Sequence, residues 1–154
     1  MDSIRELIVK NIKTTLEGIK LSAGFNHDIS SVQRLRQSGM KKNLVPTIWM
    51  EEGDEVSIDE AGIVKKNLTI ALAVITRHDE TADLLSSSEF VAPLRDDVDK
   101  ALMADRTRGG NADETSFPSW EGIDIAEGQP ELIVVGTFSV RYFTSQTDST
   151  VKGF

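Results

Sequence analysis

Apolar residues recur at Ile4, Leu7, Ile8, Ile12, Leu16 and Ile19, the three-and-four spacing that lines one side of an α-helix. Ser3, followed three positions later by Glu6, is a capping-box pair whose side chains satisfy amides left free at a helix N-terminus. Gly18 falls at the natural end, so the pattern predicts a helix over 3–18 that lays its apolar stripe on a sheet.

Further along, the period changes from helical to twofold. Val32-Gln33-Arg34-Leu35-Arg36 alternates like a half-buried strand and is broken by Ser38-Gly39. Residues 44–50, LVPTIWM, have strand composition, with Pro46 tolerable at an edge or at the strand start. The acidic EEGDE at 51–55 reads as a turn. The clearest strand runs from Asn67 to Arg77. Leu68, Ile70, Leu72, Val74 and Thr76 share one side, and Thr69, Ala71, Ala73 and Ile75 the other. The small alanines predict close approach of a helix over that second side.

A second helical stripe, Phe90, Val91, Leu94, Val98, Ala101 and Leu102, lies within 79–105, with Ser88 as its expected cap and Pro93 in its first turns or at a bend. Residues 104–119 are polar, aperiodic and glycine-containing, a loop of a length that is usually functional or disordered. Two strands close the pattern, 120–126 and 131–145, as an antiparallel hairpin turning over 127–130. Two amphipathic helices packed on one face of a mostly antiparallel β-sheet make an α+β domain over 1–145, with 146–154 expected as a flexible, unpacked C-terminal arm.

Composition narrows the function. A chain of 154 residues fits one domain and one core, since domains usually run to about 100–200 residues. The absence of cysteine removes disulfides, thiolate nucleophiles and thiolate-held metals. Asp2 and Glu6 stand where a signal peptide carries positive charge, and the longest apolar run, Ile70–Ile75, is far short of the ~20 residues that span a bilayer. The net charge of −8 disfavours a grip on DNA or anionic lipid, which depends on Lys and Arg. Charge is unevenly spread, with basic residues concentrated in the first third and acidic ones dominating from Glu51 to Glu131.

Chemistry is hard to assemble from what remains. His27 and His78 have no metal-ligand company, Gly109-Gly110 lacks the Lys-Ser/Thr of a phosphate loop, and no nucleophile elbow is present. The pairs Glu51-Glu52, Asp54-Glu55 and Asp96-Asp97 read as solvated surface carboxylates. Trp49, Trp120, Phe138 and Tyr142 fall on strands as core residues. Phe117 in the long loop and Phe154 at the C-terminus fit a monomer core poorly and are candidate anchors for a partner. Arg106 and Arg108, basic in an acidic half, are candidates to pair with a neighbour's carboxylates. The expectation is no catalytic residue, no cofactor and no metal.

The ordered set of the capped helix, LVPTIWM, NLTIALAVITR, EFVAPLRDDVDKALMAD, a polar loop and ELIVVGTFSVRYFT resembles the tail terminator (tail completion, or minor tail protein) family of tailed bacteriophages. The resemblance covers roughly 3–145 and rests on element order and hydrophobic pattern, with no fixed residue motif to transfer. It implies a homohexameric ring in the virion that caps the tail tube, stops its polymerisation and presents a docking face to the head connector. The implied partners are other copies of the chain, the tail tube protein and a head–tail connector or neck protein, with DNA passing the lumen without specific binding and no membrane involved. Another connector, neck or tube protein of similar fold, or a small enzyme or ligand-binding module, are the alternatives.

Overall fold

In the computed structural model, which describes residues 2–34, 46–77, 84–121, 124–125 and 131–153, the capped N-terminal helix is α1, Ile4–Glu17. The Ser3 side chain accepts the Glu6 amide at 3.1 Å. Only that half of the capping box forms, because the Glu6 carboxylate turns instead to Arg34. Ile4, Ile8, Val9, Ile12 and Leu16 are buried. Leu7 is exposed and Val9 takes its expected place, a rotation of the stripe by part of a turn.

The remaining elements are β1 (Ser31–Gln33), β2 (Thr47–Glu60), β3 (Ile63–Arg77), α2 (Leu84–Met103), β4 (Glu114–Thr115), β5 (Ser119–Trp120), β6 (Asp124–Ile125) and β7 (Glu131–Ser145). The sheet runs β1-β2-β3-β7, with β4, β5 and β6 set one after another along the far edge of β7. Among the described residues only β1 and β2 pair in parallel, and the other strand pairings are antiparallel. The protein is an α+β fold made mostly of sheet.

The β3 alternation is realised residue by residue. Leu68, Ile70, Leu72 and Val74 lie opposite Val140, Phe138, Gly136 and Val134 of β7, and Val74 and Leu72 lie opposite Ile48 and Met50 of β2. These side chains share one core with the α1 stripe and with Leu94, Val98 and Leu102 of α2. Both helices therefore cover the same face of the sheet, and it is the aliphatic face. The alanine face of β3 is not the helix-covered one, contrary to the expectation from its small side chains.

EEGDE is not a turn. It runs inside β2, and the register jumps from Glu52 opposite Ile70 to Glu55 opposite Leu68. Gly53 and Asp54 thus stand against Thr69 alone, a β-bulge. The chain reverses at Ala61-Gly62 instead, with φ of 47° and 89°, the left-handed pair that a two-residue hairpin needs to match strand twist. Ser88 lies inside α2, not at its start, and Pro93 is also internal, where it has no amide to give to the helix ladder.

Residues 146–153 fold back, where an unpacked arm was expected. Ser149 accepts the Ile4 amide, and the tail pairs with the end of β7 through Thr144 and Lys152. The reason is the far edge of β7: β4 stops at the level of Arg141, and the tail supplies partners to the backbone groups beyond it. The turn expected at 127–130, His78 and Phe154 lie outside the described residues, as do Leu35 and Arg36.

Candidate assembly surface

Under the N-terminus of α1 the helix-covered face turns polar. The bulge shifts the strand's alternation by one, so Glu52 and Glu55 both point to the helix side. Arg5 bridges them, Nε to Glu52 and a terminal nitrogen to Glu55, each at 3.1 Å. Arg34 joins Glu6 and Glu52, Lys66 approaches Glu55 at 3.8 Å, and the Tyr142 hydroxyl donates to Glu55 at 2.7 Å. Burial, with the Glu55 carboxylate beside it, pushes the Tyr142 phenol well above its ordinary range. The bond from Arg34 holds the Glu6 carboxyl below its usual value. A hollow of about 250 Å³ opens here beside Ser3, Lys66, Thr144 and Ser149. Three cations face three carboxylates, so the cluster is neutral and uses its charges on itself. It ties α1 and Arg34, the residue after β1, to β2.

Asp97 was expected as a solvated carboxylate and is buried. It accepts the amides of Asn26 and His27 at 2.9–3.0 Å, tying the loop after α1 to α2, and lies 3.4 Å from His27 Nδ1. Trp120 is packed against the core, its indole N–H given to Asp99 of α2 at 2.9 Å. A Cβ on Gly136 would sit 2.6 Å from the Trp120 ring, so only glycine allows that contact. Phe138 and Tyr142 are core residues as expected.

The segment 104–119 is built as a stack of turns. Asp105 accepts the amides of Thr107 and Gly109, which together with Arg108 keep its pKa low in spite of burial. Ala112 and Thr115 are buried, and the amides of Asp113 and Ser116 bond to Arg141 and Ser139 of β7. Its polar composition concealed this, because the bonds run to its own backbone and to β7.

The candidate anchors separate here. Arg108 is fully buried, at a φ of 51°, and donates to the carbonyls of Leu102 and Asp105 at the end of α2. Burial lowers its pKa. It is a helix-end cap, and the reading as a partner contact does not hold for it. Arg106 is on the surface, bonded to Glu114, with its guanidinium 5.7 Å from the centre of the Phe117 ring. Phe117 is 61% exposed, an aromatic ring held out in water beside a cation.

The face of the sheet opposite α1 and α2 carries a feature that the strand patterns did not reveal. Trp49, Glu51, Ala71, Ala73, Ile133 and Val135 line an open depression of about 300 Å³ across β2, β3 and β7. Trp49 belongs to this face and not to the helix-covered core. Its floor exists because Ala71 and Ala73 are short where their neighbours are large. On the same side, further along β2, Val56 and Ile58 are exposed. Among the described residues no group of His, Asp and Glu is placed to hold a metal ion, and no helix is long and apolar enough to cross a membrane. Neither a protein-family profile nor a curated protein matches the chain.

Proposed function

We propose that this chain is a structural assembly protein of a phage virion, a ring-forming tail terminator. Closed rings of six subunits would cap the tail tube, stop its growth and offer a docking face to the head connector. One observation carries the reading: a sheet covered by helices on one face keeps an open, largely apolar depression on the other, and the same subunit displays an exposed aromatic–arginine pair. Neither feature belongs to the described core, and apolar surface left in water can mark a protein contact. The element order that resembles the tail terminator family supplies the particular assembly. The net charge of −8 per subunit suits a lumen through which DNA slides without sticking.

Native mass spectrometry at micromolar concentration, with negative-stain imaging of the chain alone and with tube protein, tests the reading. Rings that bind tube ends are expected. A chain that stays monomeric in both settings ends the proposal.

A further inference from the structure

The assembly reading leaves open which surface of one subunit meets which surface of the next. We propose that Phe117 of one subunit seats in the Trp49–Ala73–Val135 depression of a second copy, with Arg106 turning from Glu114 to the second copy's Glu51. The inference rests on the assembly reading.

Shape is the first argument. A cavity of about 150 Å³ accommodates a benzene ring, and the depression measures about 300 Å³, enough for a phenyl ring with a guanidinium beside it. The alanines give it an apolar floor, and Trp49 and Val135 give it walls. Charge is the second. Glu51 is the one charged residue among those described around the depression, and Arg106 is the cation that accompanies Phe117. An aromatic ring carrying a cation fits an apolar hollow edged by a carboxylate.

Position is the third. Ser116 donates its amide to Ser139, and Ser119 pairs with Thr137, so the Phe117 segment is pinned to the outer edge of β7. The depression is centred one strand inward, on β3, and remains open while Phe117 stays in water. Arg106 is free to exchange partners at little cost, because its pairing with Glu114 is solvent-exposed on both sides. Pinned backbone and protruding ring make Phe117 a preformed anchor of the kind that dominates protein contacts.

The experiment compares self-association of the full chain and its variants by native mass spectrometry and sedimentation, with circular dichroism to verify folding. Phe117→Ala, Ala73→Leu and Glu51→Arg should each raise the dissociation constant about tenfold or more, the size expected for a central anchor. Phe117 and Glu51 are exposed and the half-buried Ala73 lines the open depression, so the fold should persist. Combining Glu51→Arg with Arg106→Glu in one chain should recover much of the loss caused by Glu51→Arg alone. If the wild type forms rings and every variant associates as tightly, this contact is overturned while the ring reading stands. If the variants assemble normally but lose capture of tube or connector protein, the depression serves a different partner and the contact is likewise overturned. A wild-type chain that never self-associates removes both readings.

Discussion

The two faces of this sheet are built from the same strands and treat their side chains in opposite ways. On the helix side, Leu68, Ile70, Leu72 and Val74 are buried against two helices, and the charged residues at its margin are bonded to one another. On the other side Thr47 and Ile75 are buried, but Val56, Ile58 and the Trp49 depression remain in contact with water, although the backbone beneath them is the same ladder. The difference separates what the subunit needs in order to fold from what it keeps for something else. Stability and association should therefore respond to different residues, and mutations can test how cleanly.

The largest effect should come from the core of the covered face. Leu72→Ala removes a fully buried side chain from the middle of β3 and should cost about 2–5 kcal/mol in chemical denaturation. A cost below about 1 kcal/mol would mean that this face is not the core. Next is Gly136→Ala, where the new methyl meets the Trp120 ring. A loss of about 1–3 kcal/mol is expected, with a change in tryptophan fluorescence, since the indole must move. A silent spectrum would show that Trp120 does not rest on Gly136.

A smaller effect is set by pH. The Glu6 carboxyl titrates below its unfolded value because Arg34 favours the charged form. Its contribution is complete above the unfolded value of about 4.3 and disappears as pH falls through the lower folded value. Wild type should therefore lose stability on acidification through this window, and Glu6→Gln should lose less, as measured by thermal unfolding from pH 6 to pH 3. Identical slopes would remove the Glu6–Arg34 bond from the account. The smallest effect on stability belongs to the open face. Ala73→Leu should change unfolding by no more than about 0.5 kcal/mol, because the depression that Ala73 lines is open. A large loss would mean that the two faces are not separable.

Much of the covered face was legible in the sequence, because burial on one side imposes a period. The α1 stripe and the β3 alternation were both readable, and only Leu7 and Val9 exchanged places. The open face was not, since a depression arises from Trp49, Ala71 and Val135 meeting across strands far apart in the chain. Ala71 and Ala73 did signal a vacancy, but the sequence could not say whether a helix or solvent stood over it. Arg108 and Asp97 were misread for a related reason. A charged side chain is buried by the ends of elements around it, here the last turn of α2 and the loop at 26–27, and no local spacing records that. Of the expected anchors, Phe117 and Arg106 are exposed neighbours, and Phe154 falls outside the described residues.

The bulge in β2 has a consequence for changes in chain length. Elsewhere in the ladder, losing one residue turns every later side chain to the wrong face, because strand sides alternate strictly. At 53–54 two residues stand where Thr69 requires one, so the strand holds a residue in reserve. Deleting Asp54 would leave Glu52 opposite Ile70 and Glu55 opposite Leu68, with both carboxylates still facing Arg5. Deleting Ser57, three positions on, would send Ile58 toward the helices and Asp59 away from them. A single-residue deletion, ordinarily the most disruptive change a strand can suffer, thus has one address in β2 that keeps every later side chain on its own face.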